Sequence, residues 1–155
     1  MASAKALAAS RGIPVVGVGT LDALAAGISE ADDTRRQRLA VLDARRGEAF
    51  ASLHGADGSR VWGPWVGPPE DLAGRLSGLD EAPLAAGSGA LRFRDELASC
   101  GVEVIDETDG AHRVAGRHVC RLAAAGETVE PLAPIYLRPP DAERWRERDT
   151  AKRNQ

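Results

Sequence analysis

The stretch RLAVLDARRGEAFASLHGADGSRVWGPWV, residues 38–66, decides the fold. Its opening RLAVLDA is a nearly continuous apolar run, suited to a central strand covered on both faces. EAFASLH at 48–54 reads as a second strand. Only Arg45, Arg46 and Gly47 separate the two, so they form a tight hairpin. GADGS at 55–59 is a turn, and RVWGPWV at 60–66 is a third strand carrying Trp62 and Trp65. Pro64 has no N–H for a ladder, which places that strand at a sheet edge.

Downstream, PPEDLAGRL (68–76) reads as a helix, PLAAG (83–87) as a strand, ALRFRDELASC (90–100) as a helix and VEVI (102–105) as a strand. A last long helix is expected over 111–125, with Val114, Ala115, Val119, Leu122 and Ala123 at helical spacing. The prolines of PLAPIYLRPPDAERW (131–145) keep that segment extended, with Tyr136 and Leu137 expected against the body. The order β-β-β-α-β-α-β-α is that of an α/β, ribonuclease-H-like domain.

Upstream, the alanine-rich residues 2–11 favour a helix. Gly12 follows where a terminating glycine belongs, and Pro14 prevents continuation. Residues 15–18 read as a short strand and Thr20 as the N-cap of a helix over 21–26. The polar run GISEADDTRR at 27–36 reads as an exposed linker. The expected organisation is therefore a helix-strand-helix at 1–27, a linker at 28–37, the main domain at 38–140 and a charged tail at 141–155. A strand at 15–18 with no sheet of its own would leave an apolar edge unpaired, which predicts self-association.

The chain has 155 residues, enough for one compact domain, and 43% of them are hydrophobic but only 4% aromatic, so the core is built from Ala, Val and Leu. Its 20 basic and 23 acidic residues give a net charge of −3, which weighs against a free-standing nucleic-acid binder. Cys100 and Cys120 form no disulfide framework or zinc pattern and suit a reducing cytoplasm. The first residues, MASAKALAASRGIPVV, are interrupted by Lys5 and Arg11 and read as neither a signal peptide nor a membrane span.

Few residues suggest chemistry. Asp43 ends the first strand, where metal or phosphate work would need converging carboxylates, and no clear second one appears in a strand; a hairpin-organising role is expected. Arg45 and Arg46 sit on an exposed turn, as a solvated tip or as contacts for an RNA phosphate or a partner's carboxylate. His112 and His118 are six apart on one expected helix, the wrong spacing for a shared metal. Cys120 reads as a small core residue. Ser88, between Gly87 and Gly89, reads as a helix cap, with an anion-binding turn as the alternative. Trp62 and Trp65 read equally as packing or as a partner-binding edge. The tail after residue 141 carries charges of both signs, with Trp145 as its anchor.

Four segments together resemble the TsaB family: AKALAASRGIPVVGVGTLDALA (4–25), DARRGEAFASL (43–53), AAGSGALRFRDEL (85–97) and PIYLRPPDAE (134–143). Phe50 stands where that family's hairpin would have tyrosine. The resemblance implies the carboxy-terminal lobe of an actin-like, ribonuclease-H-like protein, preceded by a remnant of the first lobe. It also implies a non-catalytic scaffold, without cofactor or metal, in the complex that places threonylcarbamoyl on the adenosine of tRNAs reading ANN codons. TsaD would be the catalytic partner and TsaE the assisting ATPase, with tRNA engaged only indirectly and no membrane involved. Arg45, Arg46, Trp62, Arg138 and Trp145 are the candidate partner or phosphate contacts.

The family's ILAIDTS-type strand and GPGSFTGLR-type loop do not occur in this sequence, and Met1 falls inside the helix that would follow them. The expectation is a fragment or an internal start, with partner binding weakened. A glycoprotease-like hydrolase or a nucleotide-dependent transferase of the same fold is the rival reading, and a decayed fragment a third. The hydrolase or transferase would need an HxxxH-type metal pair or a glycine-rich phosphate loop.

Overall fold

The computed structural model describes residues 2–31, 35–126 and 133–138. Helix α1 spans Ala2–Arg11. It ends as its sequence predicts. Gly12 adopts φ +63°, its N–H donates to the Ala9 carbonyl, and the Ile13 N–H donates to the Ala8 carbonyl. These two bonds are the paired closure that a left-handed glycine permits.

Residues 13–19 form neither helix nor strand. The backbone groups of Val15, Val16 and Val18 make no hydrogen bond among the described residues. This corrects the expected strand: local β-propensity has no neighbouring strand here to complete a ladder.

Helix α2, Thr20–Ala31, runs further than its expected end and buries Gly27 and Ile28. Its first turn closes onto the Gly19 carbonyl, which accepts from the Ala23 N–H. The polar run from Gly27 is therefore not wholly an exposed linker, because Leu21, Leu24 and Ile28 stay on one helical face.

Five strands follow: β1 Arg38–Arg45, β2 Glu48–His54, β3 Arg60–Gly67, β4 Leu84–Ala86 and β5 Glu103–Val104. The sheet order is β3-β2-β1-β4-β5, with β1 antiparallel to β2 and parallel to β4. The proline-bearing β3 lies at the edge, as its sequence requires.

Side chains alternate across the sheet. Leu39, Val41, Ala49, Ala51, Leu53 and Ala85 pack on one face with Leu72, Leu76, Phe93 and Leu97 of the following helices. Ala40, Leu42 and Phe50 face Leu21 and Leu24 of α2. Leu84 and Ala86 meet Ile28 and Ala111 on that same side. Covering both faces is why β1 reads as an unbroken apolar run.

Between the strands lie α3 Asp71–Leu76, α4 Ser88–Arg92 and α5 Arg94–Ser99. The expected single helix over 90–100 is thus two, broken at the buried Phe93 (φ −109°, ψ 33°). The expected helix over 111–125 is likewise divided into a 3-10 turn at Gly110–His112 and α6 at Gly116–Ala125.

Gly87 and Gly89 fix how α4 leaves the sheet. A Cβ on Gly87, at φ +117°, would lie 2.0 Å from the Val41 carbonyl oxygen, and one on Gly89 would lie 2.7 Å from the Leu42 carbonyl carbon. Only glycine lets the turn approach β1 this closely.

Candidate functional site

Two polar centres stand out, one at each end of the β1–β2 hairpin. The first surrounds Asp43, near the carboxyl end of β1. Its Oδ1 accepts the Arg45 N–H at 2.8 Å and its Oδ2 accepts from Arg92 Nη1 at 2.9 Å. The Asp43 N–H donates to Ser88 Oγ at 3.2 Å. Burial opposes ionisation, but the Arg45 N–H and the Arg92 guanidinium outweigh it and hold this carboxyl below its ordinary value. Asp43 therefore organises the hairpin, as its sequence position suggested.

The turn itself is a two-residue Arg46-Gly47 connection with Arg45 opposite Glu48. Arg45, Arg46 and Gly47 have φ of +64°, +58° and +77°. Positive φ at both central residues is the type I′ pattern, whose twist matches the flanking strands. The Arg45 side chain is 83% exposed.

Arg138 closes this end. Its Nη1 donates to Glu48 Oε2 at 2.5 Å and its Nη2 to the Ala44 carbonyl at 3.2 Å, so the closing segment is held against both strands. Tyr136, expected against the body, is instead 81% exposed, because this guanidinium makes the attachment.

Ser88 does not cap α4. The N-cap is Gly87, without a side-chain bond, and the Ser88 hydroxyl serves β1 instead. The neighbouring Gly87 N–H donates to His112 Nδ1 at 3.1 Å. His112 Nε2 lies 3.0 Å from the Asp106 carbonyl, to which it donates when Nδ1 accepts. His112 thus pins the loop after β5 to the end of β4.

His118 is buried on α6, with Nε2 3.4 Å from Glu30 Oε2. The break after residue 112 means that the two histidines do not share one helix. Cys120 is exposed, a correction to its expected core position, because it faces away from the buried His118 side of α6. Among the described residues no group of three or more His, Cys, Asp or Glu could hold a metal ion.

Trp62 and Trp65 are half-buried against the core, and the Arg75 guanidinium lies 5.8 and 5.3 Å from their ring centroids. Packing is the role this geometry shows. Trp145 lies outside the described residues.

The second centre involves residues that the sequence reading did not single out. Arg60 forms a two-point ion pair with Asp22 of α2. His54 Nε2 lies 2.9 Å from Ser52 Oγ and 3.7 Å from Asp22 Oδ1. Arg38 Nη1 donates to the Gly55 and Ala56 carbonyls at 3.0 Å each. Asp22, Arg38, His54 and Arg60 border a groove of about 560 Å³ whose other walls include Val16, Val18, Ala25 and Leu122.

A serine, a histidine and an aspartate meet here, yet Ser52 and Asp22 both address the same ring nitrogen. A nucleophile relay needs them on opposite nitrogens. The arrangement ties α2 to the β2–β3 hairpin. Its sequence signal was the alternation of Phe50, Ser52 and His54 on the face of β2 opposite Ala49, Ala51 and Leu53.

The topology and both covered faces define an α/β protein of the ribonuclease-H-like, actin-like fold. Solved structures agree. The chain is similar to YeaZ from Pseudomonas aeruginosa, with a TM-score of 0.62 and 22% identity over 84% of this chain and 64% of that one. It is also similar to a Pseudomonas aeruginosa protein described as having similarity to peptidase YeaZ, with a TM-score of 0.62 and 24% identity over 86% and 63% of the two chains.

No family model matches the chain. In sequence it is similar to uncharacterized proteins of Mycobacterium tuberculosis and Mycobacterium bovis, 34% identical over 142 residues, 92% of this chain. An uncharacterized Mycobacterium leprae protein is 44% identical over 72 residues, 46% of this chain and 18% of that protein. The chain spans 57% of the length of the Mycobacterium tuberculosis and Mycobacterium bovis relatives. Among the described residues, no helix is long and apolar enough to cross a membrane.

Proposed function

We propose that this chain is part of a non-catalytic scaffold for tRNA threonylcarbamoylation in the cytoplasm, supporting the transferase TsaD with TsaE as the assisting ATPase. The observation that carries the reading is the YeaZ-like fold over more than four-fifths of the chain, since YeaZ and TsaB name the same family. The four TsaB-like segments add to it: each described part falls on a defining element, namely α1–α2, the β1–β2 hairpin, the β4–α4 turn and the Arg138 anchor.

The arrangement of Ser52, His54 and Asp22 gives the hydrolase reading no support, because none of the three is placed to relay a proton between the others. Co-purification of this chain with tagged TsaD from the same organism tests the proposal. Retention in a defined ratio supports it, and complete absence of the chain from washed TsaD counts against it.

A further inference from the structure

We propose that His118 is a proton-operated latch for helix α6: the neutral ring holds α6 against α2, and the imidazolium lets it go. Along its 10 residues α6 buries a single side chain, that of His118, which is 1% exposed. Leu122 and Ala123 are only half-buried. A surface helix is ordinarily anchored by an apolar stripe. Here the buried anchor is a group that can take up a proton.

The ring packs on α2 at its glycine, since a Cβ on Gly27 would stand 3.5 Å from His118 Nε2. Nε2 also faces the Glu30 carboxylate at 3.4 Å. Nδ1 is buried and has no hydrogen-bond partner among the described residues. A neutral ring with its proton on Nε2 suits this site, because Nδ1 then carries only a lone pair. Protonation puts an N–H on Nδ1 with no acceptor, and a charge on a ring shut off from water.

The charged neighbours do not compensate. Glu30 faces the ring from α2, while Arg117 and Arg121 of α6 already reach that same carboxylate at 2.8 and 3.5 Å. In and beside the 3-10 turn, His112 is engaged with the Gly87 N–H and Asp109 with the Ala111 N–H. One carboxylate would therefore serve three cations. Burial above all, with Arg117 and Arg121, holds His118 below its ordinary 6.5 against the pull of Glu30. Glu30 is itself held below its ordinary 4.5, chiefly by its hydrogen bond to Arg117, so it stays ionised while His118 titrates.

The arginine pairs do not replace the latch. The Arg117 and Arg121 side chains are 64% and 62% exposed, and ion pairs so open to water add little. The released ring regains its ordinary 6.5, above the lowered value of the attached one. Attachment is therefore complete above that pH and is lost as the pH falls below it. Arg121, Leu122 and Gly126 border the groove together with Ala25, Ala26 and Ser29 of α2. Acid thus opens the groove along its α6 side.

The test is hydrogen–deuterium exchange of the full chain at about pH 7.5 and about pH 5.5, each peptide corrected for its intrinsic exchange rate. Opening of α6 should grow by up to about tenfold for each pH unit below the ordinary histidine value, while β1 and β2 stay protected. In His118→Leu, which has no proton to take up, α6 should open equally at both pH values. A nuclear magnetic resonance titration of the parent's His118 ring should give a midpoint below 6.5, and it needs no variant to fold.

Equal opening of α6 in the parent at both pH values overturns the proposal. So does loss of protection in β1 and β2 together with α6, a pH dependence that survives in His118→Leu, or a ring midpoint at or above 6.5. None of these readouts involves TsaD, so the latch stands or falls apart from the scaffold reading.

Discussion

Arg138 and Glu48, ninety residues apart in sequence, meet at 2.5 Å, and the same guanidinium reaches the Ala44 carbonyl on the opposite strand of the hairpin. One side chain therefore clamps both sides of a turn whose backbone is left-handed at Arg45 and Arg46. The pair is mostly shielded, with side-chain exposures of 24% and 29%, so solvent screening does not abolish it. Arg138→Ala should lower stability by about 1–2 kcal/mol. In a double-mutant cycle with Glu48→Ala, urea melts should show a coupling of about 1 kcal/mol. Strict additivity would mean that the clamp contributes nothing.

Gly87 and Gly74 make a contrasting pair. Alanine at Gly87 meets the Val41 carbonyl and an unfavourable φ, and should cost roughly 3 kcal/mol or more, or prevent folding. Alanine at Gly74, in α3, has nothing within 4 Å and should stabilise by up to about 1 kcal/mol through helix propensity. Chemical denaturation of the two variants reads both effects. A tolerated Gly87→Ala would show that α4 does not approach β1 as closely as described.

Burial holds His54 below its ordinary 6.5, with Arg60 and Arg38 acting in the same direction and Asp22 opposing them. His118 is lowered by burial and by Arg117 and Arg121, against Glu30. A histidine with a lowered folded pKa takes up its proton more readily when unfolded. Stability is therefore complete above about pH 6.5 and falls as the pH drops below it. The slope is at most about 1.4 kcal/mol per pH unit for each histidine. Melting temperatures across this range should decline on acidification, and His54→Gln should flatten the decline. A profile that rises on acidification would contradict the assignment.

Among the described residues the backbone groups of Val15, Val16 and Val18 make no hydrogen bond, close in sequence to the exposed Leu7 and Ile13. Such backbone invites pairing with another copy. Sedimentation velocity should show mass increasing with concentration, and Val16→Lys should suppress the increase. A parent chain that stays monomeric at high concentration would refute this.

The hairpin, the edge strand and the β-α order were legible because they rest on local signals: alternation, turn residues and a proline. Helix α2 was read too short because the polar residues after Gly27 masked a face that continues through Ile28. The breaks at Phe93 and after His112 left no comparable mark. Phe93 follows Ala90 and precedes Leu97 at ordinary helical spacing, and His112 is drawn out of the helical pattern by partners on β4 and β5 strand ends. Ser88 was misread because its partner, the Asp43 N–H, lies 45 residues away. The Asp22–His54–Arg60 centre joins three elements, and only the polar alternation in β2 hinted at it.

The most direct test of the scaffold reading is the threonylcarbamoyladenosine content of total tRNA, measured by mass spectrometry of nucleosides after depletion of this protein and after its re-expression. The account predicts that the modified nucleoside falls on depletion and returns with the protein, while TsaD levels stay constant. An unchanged content after depletion would contradict it.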